Sequence, residues 1–214
     1  MMAKVKICGL RRREDIEYAN TLLPDYIGFV FANSRRRVTP DEAKILSALL
    51  DKRVGAVGVF VDEEPETVSD VAAKCGLKAV QLHGFEDAEY IKSLRRKLPR
   101  ECEIWKAASV RKPEDIAAAP LKYVDRLVLD AYSPDARGGT GKCFDWSVLK
   151  NTRIGLPFFV AGGINTENIG AALSAAKGND SAFGIDVSSG VETAGQKDFQ
   201  KMKKIIAAVR GFNN

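Results

Sequence analysis

Several polar residues, most of them able to move protons, stand where short apolar runs end: Cys8 closes VKIC, Gln81 and His83 close AVQLH, Asp130 closes RLVLD and Asp186 closes FGID. A thiol, an imidazole and carboxyl groups are the side chains that act as acids and bases near neutral pH. Two further segments are built for an oxyanion. Ala161-Gly162-Gly163-Ile164-Asn165 and Asp186-Val187-Ser188-Ser189-Gly190-Val191-Glu192 are rich in small residues that let backbone N–H groups approach closely. A glycine or serine alone serves a tight turn equally well; Gly162, Gly163, Ser188, Ser189 and Gly190 together point to phosphate.

Such groups need a frame. Apolar, β-branched runs recur at Val5–Cys8, Tyr26–Phe31, Val54–Val61, Ala79–His83, Ile104–Val110, Arg126–Ala131, Phe158–Gly162 and Phe183–Val187, and each predicts a buried parallel strand. Segments with helical spacing alternate with them: Arg13–Leu23, Pro40–Leu50, Glu66–Lys74, Glu86–Lys97, Thr166–Ala175 and Lys197–Val209. Thr39 before Pro40, Asn165 before Thr166 and Asp145 before Trp146 are the expected helix caps. About eight strand-helix units predict an α/β chain folded as a single (β/α)8 TIM barrel. An open doubly wound sheet fits less well, because Cys8-Gly9-Leu10 follows the first strand in place of a G-x-G-x-x-G turn. Residues 113–120 leave room only for a shortened fifth helix. In such a barrel catalytic groups sit at the carboxyl ends of strands, and loops seven and eight commonly hold phosphate.

Composition narrows the class. The chain has 214 residues, 45% of them hydrophobic, and is expected to form one domain spanning 1–214. A net charge of +5 suits an anionic small molecule as well as nucleic acid; no interleaving of aromatic and basic residues supports the latter. Cys8, Cys75, Cys102 and Cys143 are scattered and share the chain with one histidine, so neither a zinc site nor a disulfide framework is expected. Met1 runs into VKICG without a signal-peptide core, and no stretch has the apolar length of a membrane span. The cytoplasm is the expected location. Residues 137–142 are glycine-rich, but Ala136 and Cys143 occupy positions a nucleotide P-loop needs for Gly and Ser or Thr. That stretch reads as a cover over the site.

The segments KICGL (6–10), GFVFANSRRRV (28–38), VGVFVDE (57–63), VQLHG (80–84), LDAYSPDARGGTGKCFDW (129–146), FFVAGGIN (158–165) and DVSSGVE (186–192) resemble, in order and spacing, the phosphoribosylanthranilate isomerase family. The resemblance implies an Amadori rearrangement of phosphoribosylanthranilate in tryptophan biosynthesis, with no metal or other cofactor. It aligns Cys8 with the family's general base and Asp130 with its general acid. Arg36 aligns with the arginine that grips the anthranilate carboxylate, although the chain is a residue shorter before Ser34 than many relatives and Arg35 and Arg37 are alternatives. Asp186 is expected to meet the anilino nitrogen or a sugar hydroxyl, or else to tie down the next loop. His83 reads as wall, Asp145 as a helix cap, and Cys75, Cys102 and Cys143 as packing.

A histidine-pathway isomerase would carry aspartate at position 8 and a second phosphate loop midway. Indoleglycerol phosphate synthase relies on strand-end lysines, for which Lys106 is the only candidate. A non-catalytic phosphosugar sensor or nucleic-acid module is the reading of another class. Expected partners are the small-molecule substrate, without nucleic acid or membrane, in a monomer or homodimer.

Overall fold

The computed structural model describes residues 3–117, 119, 121–131, 146–177, 179 and 183–212. Eight strands follow one another in a closed parallel barrel: β1 (Lys4–Cys8), β2 (Tyr26–Val30), β3 (Gly55–Phe60), β4 (Ala79–Leu82), β5 (Glu103–Val110), β6 (Arg126–Ala131), β7 (Phe158–Val160) and β8 (Phe183–Val187). The expected (β/α)8 TIM barrel is what the chain forms. Contacts group it into two compact units, one of Met1–Ile7, Ala107–Ala119 and Arg126–Asn214, the other of Cys8–Lys106 and Pro120–Asp125.

In the second of these units, α1 (Arg13–Leu22), α2 (Pro40–Ala48), α3 (Pro65–Cys75) and α4 (Ala88–Lys97) alternate with β2, β3 and β4. Ile27, Phe29, Val57, Val80, Leu82 and Ile104 are wholly buried, as strands covered on both faces require. Thr39 caps α2 in a reciprocal box: Glu42 N–H donates to Thr39 Oγ1 at 3.2 Å and Thr39 N–H to Glu42 Oε2 at 2.7 Å. A cap of this kind contributes about 1 kcal/mol. Helix α4 begins at Ala88 rather than Glu86, because Asp87 is the residue that caps it, accepting from the Tyr90 amide at 2.8 Å.

The other unit contains β1, β6, β7 and β8 with α5 (Pro113–Ala117), α6 (Ile169–Lys177) and α7 (Phe199–Phe212). The fifth helix has 5 residues, as short as the sequence required. Strand β7 stops at Val160, earlier than expected, because Gly162 (φ 81°) and Gly163 (φ 67°) turn into the left-handed region. Asn165 does cap the turn before α6, accepting from the amides of Glu167 (2.8 Å) and Asn168 (3.2 Å), but regular helix starts only at Ile169. Trp146–Asn151 is a 3₁₀ turn rather than an α-helix, and its expected cap Asp145 lies outside the described residues.

Lys197 was expected in the last helix and instead belongs to a small hairpin, β9 (Glu192–Thr193) and β10 (Gln196–Lys197). Ala194 (φ 51°) and Gly195 (φ 75°) form its tip, the pair of left-handed residues that a two-residue hairpin turn demands. Helix α7 then starts after Asp198, which accepts from the amides of Gln200 and Lys201 at 2.9 and 3.1 Å. Among the described residues no helix is long and apolar enough to cross a membrane.

Candidate active site

Cys8 is the last residue of β1 and is half-buried. The next residue, Gly9, has φ 82° and sends its N–H to the Gly28 carbonyl at 2.8 Å, which turns the chain out of the strand directly after the thiol. Gly28 makes the recess for that thiol: a Cβ there would stand 2.7 Å from Cys8 Sγ. Arg36 packs on the same corner, where a Cβ at Gly9 would overlap its Cδ. Of the three adjacent arginines, Arg36 is buried and Arg35 and Arg37 are exposed. The loop is fixed by Arg36 N–H donating to Ser34 Oγ (3.1 Å), Arg37 N–H to Ser34 O (3.0 Å) and Val38 N–H to Val30 O (2.9 Å). Those bonds turn the middle arginine inward and its neighbours out, so an ambiguity of sequence becomes a difference of environment.

Other thiols are placed differently. Cys75 and Cys102 are buried, and that burial pushes both thiols up, Cys102 to about 11. A thiol so placed is a packing group. Cys143 and residues 132–143, read from sequence as a cover, lie outside the described residues.

Asp130 stands one residue before the end of β6 and is buried. Register places Leu129 beside Val160, and the Ala161 amide donates to the Leu129 carbonyl at 2.8 Å, so Asp130 sits next to the start of the Gly162-Gly163 turn. The loops after β7 and β8 meet. A Cβ at Gly190 would overlap the Ile164 carbonyl oxygen, so only glycine allows this approach. Ser188 and Ser189 lead into a 3₁₀ turn, Ser189–Val191, and are half-buried with Gly162 and Gly163. The two segments picked out for phosphate are thus adjacent in space.

Asp186 lies in β8 with side chain 7% exposed, and its Oδ2 accepts from Lys6 Nζ at 2.7 Å. The expected alternative, a hydrogen bond to the following loop, is replaced by this pairing with β1. The parallel register sets Lys6 directly opposite Asp186. Among the described residues, Oδ1 of Asp186 is buried and meets no hydrogen-bond donor.

His83 follows the end of β4 and is half-buried, with Nδ1 3.1 Å from the Gln81 amide nitrogen. The sequence reading missed what holds this rim. Glu86, expected on a helix, is a buried carboxylate that accepts from the amides of Asp62 and Gly84 (3.0 Å each) and from Lys106 Nζ (2.9 Å). Lys106 also donates to the Gly84 carbonyl at 2.8 Å. A second buried pair, Lys197 with Glu192 at 2.8 Å, lets Lys197 donate to the Ser188 carbonyl at 3.0 Å. The available signal was a lysine inside an apolar strand, as in IWKAASV and KVKIC, since a buried ammonium needs a partner.

With that geometry in place, the likenesses to known proteins acquire meaning. Residues 5–208 match the family model described as N-(5'phosphoribosyl)anthranilate (PRA) isomerase. An N-(5'-phosphoribosyl)anthranilate isomerase of Thermoanaerobacter sp. is 44% identical over 211 residues, covering 99% of this chain and 100% of the relative. Among solved structures, phosphoribosyl anthranilate isomerase from Thermotoga maritima superposes with TM-score 0.86 at 37% identity, covering 98% of this chain and 100% of that one; a further structure describes the Thermotoga enzyme as dimeric. A phosphoribosyl anthranilate isomerase bound to reduced 1-(o-carboxyphenylamino)-1-deoxyribulose 5-phosphate gives TM-score 0.80 at 34% identity, with 98% and 100% covered.

Proposed function

The chain belongs to the N-(5'-phosphoribosyl)anthranilate isomerase family, and on that premise we propose that Cys8 is its general base, Asp130 its general acid and Arg36 its grip on the substrate carboxylate. It isomerises phosphoribosylanthranilate in the biosynthesis of tryptophan. Near-identity of length with relatives of this one activity, at 44% identity, is the observation that carries the function. The roles of Cys8 and Asp130 are supported by their places at the carboxyl ends of β1 and β6, the strand ends at which (β/α)8 barrels carry catalytic groups.

In the proposed mechanism Asp130 protonates the ribose ring oxygen as its bond to C1′ breaks, and the lone pair of the anilino nitrogen forms the C1′=N iminium. Cys8, as thiolate, then removes the C2′ proton. The released electron pair forms C1′=C2′ while the iminium π pair returns to nitrogen. The enol loses its hydroxyl proton and gains one at C1′, so product and substrate hold the same atoms. Asp186 Oδ1 accepts from the anilino N–H, and the 162–163 and 188–190 loops hold the phosphate through backbone N–H groups and serine hydroxyls. Because Cys8 must remain a thiol, a reducing cytoplasm is the setting this chemistry needs. The partners it calls for are the small-molecule substrate and, following the Thermotoga relative, a second copy of the chain.

Loss of phosphoribosylanthranilate fluorescence on adding purified protein tests substrate and reaction together. Turnover is expected with this substrate and not with the bis-phosphorylated histidine-pathway intermediate; preference for the latter overturns the reading. Arg36→Ala is expected to raise KM by about tenfold or more with kcat changed by less than about threefold, as for a carboxylate grip made equally in ground and transition states. An unchanged KM would transfer the role to Arg35 or Arg37.

A further inference from the structure

The mechanism above uses Asp186 but gives no task to Lys6, the most deeply buried charge beside it. Its side chain is 0% exposed, an unusual place for an ammonium, and Nζ lies 2.7 Å from Asp186 Oδ2. The pairing is built into the sheet. Residues Lys4 to Ile7 run in register with Gly184 to Val187, so Lys6 and Asp186 are lateral neighbours on one face while Val5 and Ile7 take the other. Only one carboxylate oxygen is used by the lysine. The other, Oδ1, is buried and finds no donor among the described residues.

We propose that Lys6 is a positioning residue: by clamping Oδ2 of Asp186 it keeps that carboxyl ionised in a desolvated place and presents Oδ1 to the substrate's anilino nitrogen. The inference rests on the reading of Asp186 given above. A buried carboxylate without a cation takes up a proton and so loses the lone pair that an N–H would need. An ionised acceptor also favours the iminium, whose positive charge develops on that same nitrogen, so the pair assists the step in which the charge appears. Few other charges can substitute for the lysine. Strand β7, on the other flank of β8, has the sequence FFV in its paired segment and carries no titratable group; α6, which packs against β8, contributes Lys177, whose ammonium lies over the Phe212 ring. On β1 the face shared with Lys6 also bears Lys4 and Cys8.

The test is the pH profile of kcat/KM for Lys6→Met, Asp186→Asn and the double variant, measured on the intact chain with its own substrate. Lys6→Met is expected to lose about tenfold or more at pH 7 and to recover as pH rises, its acidic limb moved up by about one unit or more, because Asp186 must now be deprotonated without help. In the Asp186→Asn background the same substitution is expected to cost less than about twofold, since nothing remains for Lys6 to position. A pH-independent loss in Lys6→Met overturns the proposal, as does a shift that persists in Asp186→Asn, which would mean that the ammonium acts on Cys8 directly. If Lys6→Met does not fold, the double variant, which leaves no orphaned ion, is compared with Asp186→Asn: equal profiles support the proposal and a further loss refutes it. Wild-type kcat/KM in Asp186→Asn removes the reading of Asp186 itself, an outcome distinct from the others.

Discussion

Cys8→Ser is expected to lower kcat by about two orders of magnitude or more with little change in KM, the range typical of a lost acid–base group. Serine fits the recess left by Gly28, where a methyl group would lie 2.7 Å from the sulfur, so the substitution changes proton affinity without changing shape. A thiol ionises near 8.5 and can be thiolate at working pH when a cationic intermediate forms beside it; a hydroxyl ionises far more reluctantly. Steady-state kinetics with circular dichroism to confirm the fold decides the matter, and undiminished turnover would remove Cys8 from the mechanism. Cys102→Ser is the control. Its thiol is pushed up to about 11 by burial and should affect stability before rate.

The second large effect is expected at Asp130. Asparagine keeps the planar shape and can still donate a hydrogen bond, but it has no proton to surrender to the ring oxygen. Asp130→Asn should therefore reduce kcat by about two orders of magnitude or more, again with KM nearly unchanged. Single-turnover measurements sharpen the test: ring opening should become the slow step. A variant that opens the ring at the original rate would show that another group, or water, supplies the proton.

These residues were legible because each interrupts a pattern. Cys8, Asp130 and Asp186 stand at the polar end of an otherwise apolar run, and a parallel barrel gives that position a meaning. Gly162, Gly163 and Gly190 were visible as small residues after β7 and β8, though composition alone could not reveal that Gly190 touches Ile164. Strands were recovered to within a residue or two, since β-branched runs between helix caps are strong local signals. What periodicity could not show were pairings between distant residues. Lys106 and Glu86 are twenty positions apart and Lys6 and Asp186 one hundred and eighty, so neither pair leaves a local trace. Glu86 even mimicked a helix start, because an acidic residue near a helix start is a normal signal, while its partners are Asp62 after β3, Gly84 in its own loop and Lys106 within β5. The hairpin of Glu192–Lys197 escaped for a related reason: strands of two residues are too short to establish an alternation.

The contact of Gly190 with the Ile164 carbonyl bears on how affinity is acquired. Two turns that abut backbone to backbone behave as a single socket whose form is set during folding rather than by the arriving anion. If the proposed phosphate site is right, the ligand's tail would meet donors already aimed, and little conformational entropy would be surrendered at that end on docking. On that proposal, a phosphate held there would confine the sugar and the aromatic ring to the small volume their linkage allows.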